Sequence, residues 1–187
     1  DLFIHDNQTG ATERVSIASD GTQANSSSFS PSVSANGQVV TFTSGATNLV
    51  IGDTNNRPDV FVRDRLAGTT TRVSVNSAGQ EASLGARDGS ISGDGRFVAF
   101  SSSASNLINQ ETSGFAHIYV HDRQTGITSL ASIFSDGFLM AGNSHTPSLS
   151  FDGRYVAFQF DDRGDGQALQ EIHVRDRLTG AATRAAG

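Results

Sequence analysis

Hydrophobic and polar positions along this chain follow the period of strands and not that of helices. The runs VVTF (39–42), FVAF (97–100) and YVAF (155–158) are apolar at nearly every position. Successive strand residues point to opposite faces, so such runs predict strands buried on both sides. Just before each run, SVS (32–34), SIS (90–92) and SLS (148–150) alternate polar and apolar residues, which predicts strands with one wet face. Asn36-Gly37, Asp94-Gly95 and Asp152-Gly153 lie between the two. Asn-Gly and Asp-Gly tolerate positive φ, so these pairs predict two-residue type I′ hairpin turns. A third strand follows, DVFV (59–62) or its equivalent, then a tight turn from Asp64 to Gly68 and a fourth strand, TTRVSV (70–75). No segment combines a helical period with capping residues.

The four strands recur as a unit. DLFIHDNQTGATERVSI, DVFVRDRLAGTTTRVSV, HIYVHDRQTGITSLASI and EIHVRDRLTGAATRAAG start at Asp1, Asp59, His117 and Glu171, at intervals of 58, 58 and 54 residues. A four-stranded antiparallel sheet of this kind cannot cover both of its own faces. Stacking such sheets around an axis covers them, which predicts an all-β protein, a propeller segment of four-stranded blades. The first strand of each unit is expected innermost, with Ser32, Ser90 and Ser148 lining a polar axial channel. Ala99 and Ala157 leave room where blades meet. The chain opens on third and fourth strands, so residues 1–18 are expected to form an orphan half-blade. Blades at 29–76, 87–134 and 145–187 follow, all within one segment, 1–187. Propellers close with about four to eight blades. Three and a half therefore predict part of a larger ring, or a half-ring completed by a second copy. The open apolar faces are expected at Val40, Phe42 or Phe61 on the first blade and at Val156 and Phe158 on the last.

The phrase S-x-D-G-R-x-V-A-F, at Ser92–Phe100 and Ser150–Phe158, resembles the PD40 (WD40-like) repeat of TolB-like β-propellers, and the resemblance spans nearly the whole chain. It implies a six-bladed ring, a secreted or periplasmic location and binding of protein partners. Related propellers precede the catalytic domain of prolyl-oligopeptidase-type serine peptidases, and others act as metal-dependent polysaccharide lyases. Fold does not decide between these uses.

Composition narrows the choice. Acidic residues outnumber basic ones, 19 to 13, for a net charge of -6, which argues against a nucleic-acid partner. No apolar stretch approaches the roughly 18 residues of a membrane span. With no cysteine, disulfides, thiolate metal sites and cysteine nucleophiles are excluded. The first residue is Asp1 rather than Met, as expected of a processed or excised chain. No G-x-S-x-G, H-E-x-x-H or P-loop motif occurs, so the leading expectation is a non-catalytic scaffold binding a protein or glycan. A propeller portion of one of those enzymes is the alternative.

Candidate chemistry is sparse. The loop after the second strand is acidic, with Asp53, Asn55 and Asp59 in one unit, Glu111 and Ser113 in the next, and Asp161, Asp162 and Asp165 in the last. Oxygen ligands at alternating positions suit a hard cation, so Asp53, Asn55 and Asp59 are the candidate Ca²⁺ ligands. The same residues also initiate turns, and no other cofactor is implied. His5 and His121 share a column with Arg63 and Arg175 and are expected to face solvent. His117 aligns with Asp59, His145 with Phe29 and Arg87, and His173 with Phe61 and Tyr119, which predicts no shared histidine metal site. The columns Asp6, Asp64, Asp122, Asp176 and Arg14, Arg72, Arg184 read as turn and pairing devices. An RGD triplet stands at Arg163–Asp165 with nothing else to recommend integrin binding.

Overall fold

The computed structural model describes residues 1–112, 114–162 and 169–186. These form fourteen β-strands and, among the described residues, no helix. Strands β1 (Phe3–His5) and β2 (Thr12–Arg14) make a lone hairpin. Three antiparallel four-stranded sheets follow, each in simple sequential order. The first holds β3 (Ser28–Val33), β4 (Val39–Ser44), β5 (Asp59–Asp64) and β6 (Thr69–Arg72). The second holds β7 (Arg87–Ile91), β8 (Phe97–Ser102), β9 (His117–Asp122) and β10 (Thr128–Leu130). The third holds β11 (Gly142–Leu149), β12 (Tyr155–Asp162), β13 (Leu169–Asp176) and β14 (Ala182–Ala186). The RGD triplet, Ser113 and Asp165 lie outside the described residues, as does the Asp162 side chain.

The inner strands pack in series, β3 on β7 and β7 on β11; β7 also packs on β4 and β5 of the preceding sheet, and β11 on β8 and β9. This is the stacked arrangement of a propeller, and it is not a closed ring. Every inner strand carries a bulge at the same place. Its pairing shifts register between Phe29 and Ser32, between Arg87 and Ser90, and between His145 and Ser148. The residue inside each shift has positive φ: Ser30 (51°), Asp88 (60°) and Thr146 (49°). A non-glycine residue in that region costs roughly 1 kcal/mol or more. Three repeats of that cost mark the bulge as a feature of the blade, bending the inner strand where its neighbours converge.

The inner hairpins are not type I′ turns. Only the glycines, Gly37, Gly95 and Gly153, have positive φ, and Gly37 N donates to Ser34 O (2.9 Å). The turn is a common type I followed by a left-handed glycine. Asn36 and its equivalents act through their side chains instead. Asn36 Oδ1 accepts from Ser34 Oγ (2.8 Å) and Gln38 N (3.0 Å).

Polar stitches join the blades at both ends. Near the axis, Gly93 O accepts from Ala35 N (2.9 Å) and Phe151 O accepts from Gly93 N (2.8 Å). A Cβ at Gly93 would stand 2.3 Å from the Phe151 ring, so only glycine permits that approach. At the rim, Thr70 Oγ1 donates to Ile17 O (2.6 Å) and Thr128 Oγ1 to Val75 O (2.5 Å), each reaching the linker of the preceding unit.

The open faces differ from the expected ones. Phe42 and Phe61 are fully buried (0% exposed), because Leu2 and Ala24 of the half-blade and its linker cover them. Val156 and Phe158 are also buried, since they face the second blade beside Ala99, Ile118 and Val120. The uncovered face of the last blade is the opposite one. Ile118 is 0% exposed, whereas Ile172, in the same column, is 40% exposed. On the half-blade, Phe3 is 56% exposed where its equivalents Phe61 and Tyr119 are buried. Truncating Ile118 to Ala should therefore cost about 3 kcal/mol in urea unfolding, and Ile172→Ala less than about 1 kcal/mol. Equal costs would show that the last face is covered in solution.

Candidate functional site

The predicted calcium ligands do meet, but around a guanidinium. Asp59 opens β5 and Arg72 closes β6, which places their side chains across one hairpin. Arg72 Nη1 lies 2.7 Å from Glu81 Oε2 and 3.5 Å from both Asp53 Oδ1 and Asp59 Oδ2. Glu81 comes from the linker, where it bridges to Val75. Thr54 N donates to Glu81 Oε2 (3.2 Å), and the Thr54 hydroxyl bonds the other oxygen. Ser74 Oγ donates to Asp59 Oδ1 (2.7 Å). Asn55 turns its Nδ2 toward Asp59 Oδ2 (2.9 Å) and its Oδ1 toward Arg57 N (2.8 Å), so its oxygen is spent on a turn.

The three carboxylates have ligand atoms within 4.8 Å of one another, and Arg72 supplies the positive charge they share. Burial raises the Asp59 pKa against the Ser74 and Asn55 hydrogen bonds and the Arg72 charge. Burial also raises Asp53, with Arg72 opposing and Glu81 adding. For Glu81 burial is the largest influence, yet the Thr54 bonds and Arg72 outweigh it and leave its pKa below the ordinary value. Glu81 and the central role of Arg72 were not legible from the loop alone. The signal was the column pairing Asp1 with Arg14, Asp59 with Arg72 and Glu171 with Arg184.

The second blade breaks that column in a coupled way, with His117 for the acid and Leu130 for the arginine. His117 is 0% exposed. Its ring nitrogens lie 3.1 Å from Ser132 Oγ and from Thr112 O, and burial lowers its pKa. A neutral imidazole needs no counter-ion, so leucine can stand where arginine stood. Ser132 and His117 resemble a nucleophile and base in spacing only, since both are sealed from solvent.

The other histidines hold blades together or fill them. Arg63 and His121 are 7% and 8% exposed, not solvent-facing as the shared column implied. Arg63 Nη1 donates to Gly68 O (2.8 Å), and His121 Nδ1 lies 2.9 Å from Thr128 Oγ1. His5, on the first hairpin, is exposed. His173 stacks on Phe158 at 6.0 Å and lies 2.7 Å from Glu171 Oε2, and Arg184 Nη1 lies 2.8 Å from the other oxygen, Oε1. Ser32 and Ser90 accept hydrogen bonds from Ile91 N (3.3 Å) and Leu149 N (3.1 Å) of the following inner strand. Ser148, on the last blade, is exposed.

The aspartate column works as expected of turn devices. Asp64 Oδ1 accepts from Leu66 N (3.1 Å) and Ala67 N (3.0 Å), and Asp176 Oδ1 from Leu178 N (2.9 Å). Arg96 grips Asp122 with two bonds (2.9 and 2.7 Å), and Arg154 grips Asp176 likewise (3.0 and 2.6 Å). These arginines, aided by backbone amides, hold both carboxyls well below the usual carboxylate range.

No family model matches the chain, and no curated protein matches its sequence. Solved structures do match in fold. A protein described as TolB from Agrobacterium tumefaciens superposes with a TM-score of 0.60 at 15% identity, over 95% of this chain and 51% of that one. A prolyl endopeptidase structure gives 0.60 at 14% identity, over 99% of this chain and 26% of that one. The propeller domain of the Trilobed protease from Pyrococcus furiosus gives 0.56 at 15% identity, over 84% of this chain and 41% of that one. The chain has the fold of the TolB-like β-propellers and spans about half the length of the TolB structure it matches.

Two outcomes follow from these contacts. Arg72→Leu should destabilise the fold by about 3 kcal/mol, because it strands buried carboxylates. Adding Asp59→His, which recreates the pairing of the second blade, should restore much of that loss in a double-mutant cycle. Calcium should raise the melting midpoint of Arg72→Leu but not that of the parent chain, where the guanidinium holds the place. The second outcome concerns acid. A carboxyl whose folded pKa is depressed adds stability that is fully present above its unfolded pKa and lost as pH falls. Stability should thus decline below about pH 4, and less steeply in Arg96→Gln. An unchanged acid limb in that variant would remove Asp122 from the account.

Proposed function

We propose that this chain is a non-catalytic scaffold, a portion of a secreted or periplasmic β-propeller that binds a protein partner. The observation that carries this reading is the open face of the last blade. Ile172 is 40% exposed where its equivalent Ile118 is buried, and Ser148 is exposed where Ser32 and Ser90 bond the next inner strand. A face built to be covered calls for a partner: further blades, or a second copy in a homodimer. The fold shared with TolB supports the periplasmic and protein-binding parts of the proposal. A glycan on the loop face is the other ligand class this surface accommodates.

The prolyl endopeptidase likeness favours one alternative, that the chain is the propeller portion of a peptidase whose catalytic groups lie elsewhere. Among the described residues, no exposed serine is within hydrogen-bond reach of a histidine, so this portion alone supplies no nucleophile. Light scattering of the chain should report a dimer that Ile172→Asp dissociates. A parent chain that stays monomeric leaves further blades as the cover. Ester and peptide substrates should not turn over. Turnover abolished by a single Ser→Ala change would overturn the non-catalytic reading.

A further inference from the structure

One column of the inner strands breaks the repeat where the blades converge. It holds Phe29, then Arg87, then His145. Arg87 and His145 flank a cleft of about 290 Å³ between the second and third blades. Its walls include Pro58, Leu84, Ala116, Ser103 and Asn143. Among the described residues, no carboxylate lines it. The nearby acid, Asp161, is turned to His145, with Oδ2 3.4 Å from Nε2.

The charged or amide donors that line the cleft are Arg87 and Asn143. Ser101 Oγ donates to Ser144 O (2.8 Å) and Ser102 Oγ to Gly85 O (2.5 Å), so these two carbonyls are already satisfied. Asn143 Oδ1 accepts from Ala116 N (3.0 Å), which fixes the amide and leaves its NH₂ outward. Arg87 is exposed, and among the described residues it pairs with no acid. That sets it apart from Arg65, Arg72, Arg96, Arg154 and Arg184, each of which grips a carboxylate. Arg57, Arg63, Arg175 and Arg177 also lack an acid partner among the described residues, but of these arginines only Arg87 lines this cleft.

We propose that this cleft binds small organic carboxylates. The planar guanidinium of Arg87 matches the two oxygens of a carboxylate, and the Asn143 amide supplies a further donor. Pro58, Leu84 and Ala116 offer apolar surface for the rest of the solute, and the volume suits a molecule of monosaccharide or dipeptide size. One guanidinium balances a monoanion better than a phosphate dianion. The proposal is independent of the scaffold reading, because the cleft lies within the described blades and not on the uncovered face.

The test is an NMR titration of the full chain with two carboxylates, glucuronate and an alanine dipeptide, and with glucose and the amidated dipeptide as neutral counterparts. Saturable shifts at Arg87, Ser103 and Asn143 are expected with at least one carboxylate and not with its neutral counterpart. The carboxylate that saturates at lower concentration identifies the source. Arg87→Gln should weaken its binding about tenfold or more without moving the melting midpoint, and Arg87→Lys should weaken it less. The proposal is overturned if neither carboxylate saturates, if a neutral counterpart binds as well, or if folded Arg87→Gln binds like the parent.

Discussion

Each blade is a sheet with two apolar faces, and neither can stay wet. Burial is worth about 25 cal/mol per Å² of apolar surface, so one exposed face would cost a sizeable part of a domain's net stability. Aromatic pairs across neighbouring strands of one blade form the flat faces that the adjoining units cover. Phe42 and Phe61 stack at 5.9 Å, as do Phe100 and Tyr119, and all four rings are fully buried. Gly93 lies under the Phe151 ring, and Ala99 packs against the third blade. The small residues, the bulged inner strands and the rim stitches all serve the same contact between flat faces.

That contact also explains the charged columns. Asp59, at the start of the third strand of its unit, is drawn into the space beside the linker, where burial opposes its ionisation. The chain meets the problem in two ways. Three units keep the acid and supply an arginine from the fourth strand. One unit replaces both, with a neutral histidine and a leucine. Changing one partner alone would strand either a buried carboxylate or a buried guanidinium, so the two positions vary together within this single chain. The acidic loop is best understood from this pairing: its carboxylates already share one cation, and that cation is covalently part of the protein.

The blades and their order were legible because repetition reports architecture directly. A column occupied by Val, Phe and Tyr at 39, 97 and 155, or by Phe, Tyr and His at 61, 119 and 173, describes a packing layer without any coordinates. What the columns hid was direction. They did not say which face of β12 meets the second blade, so Val156 and Phe158 were assigned to the wrong side. Nor did they say that a half-blade suffices to cover Phe42 and Phe61. A column containing Arg and His suggested solvent, yet Arg63 and His121 are buried, bonded to Gly68 O and to the Thr128 hydroxyl. Long polar side chains can be buried along most of their length when their tips find partners. The Asn-Gly and Asp-Gly pairs marked the right places for the turns but not their type: the glycine alone takes positive φ, and the polar residue acts through its side chain.

Repetition also indicates where specific function can lie. A residue type kept in every unit is accounted for by what every unit must do, namely pack on its neighbours and turn. A column that differs from unit to unit is released from that demand unless its changes are coupled, as those of Asp59 and Arg72 are with His117 and Leu130. In the Phe29, Arg87, His145 column the histidine comes with an acid, Asp161, where the other units have Gly45 and Ser103, but among the described residues Arg87 has no such partner. Its opposed partners across the inner hairpin, Thr43, Ser101 and Gln159, show no compensating exchange of charge. Its members sit where the inner strands converge, at a place each blade could have filled alike. Packing does not require a guanidinium there, and the cleft beside it, with no carboxylate among its described lining residues, is where the proposed carboxylate would meet it.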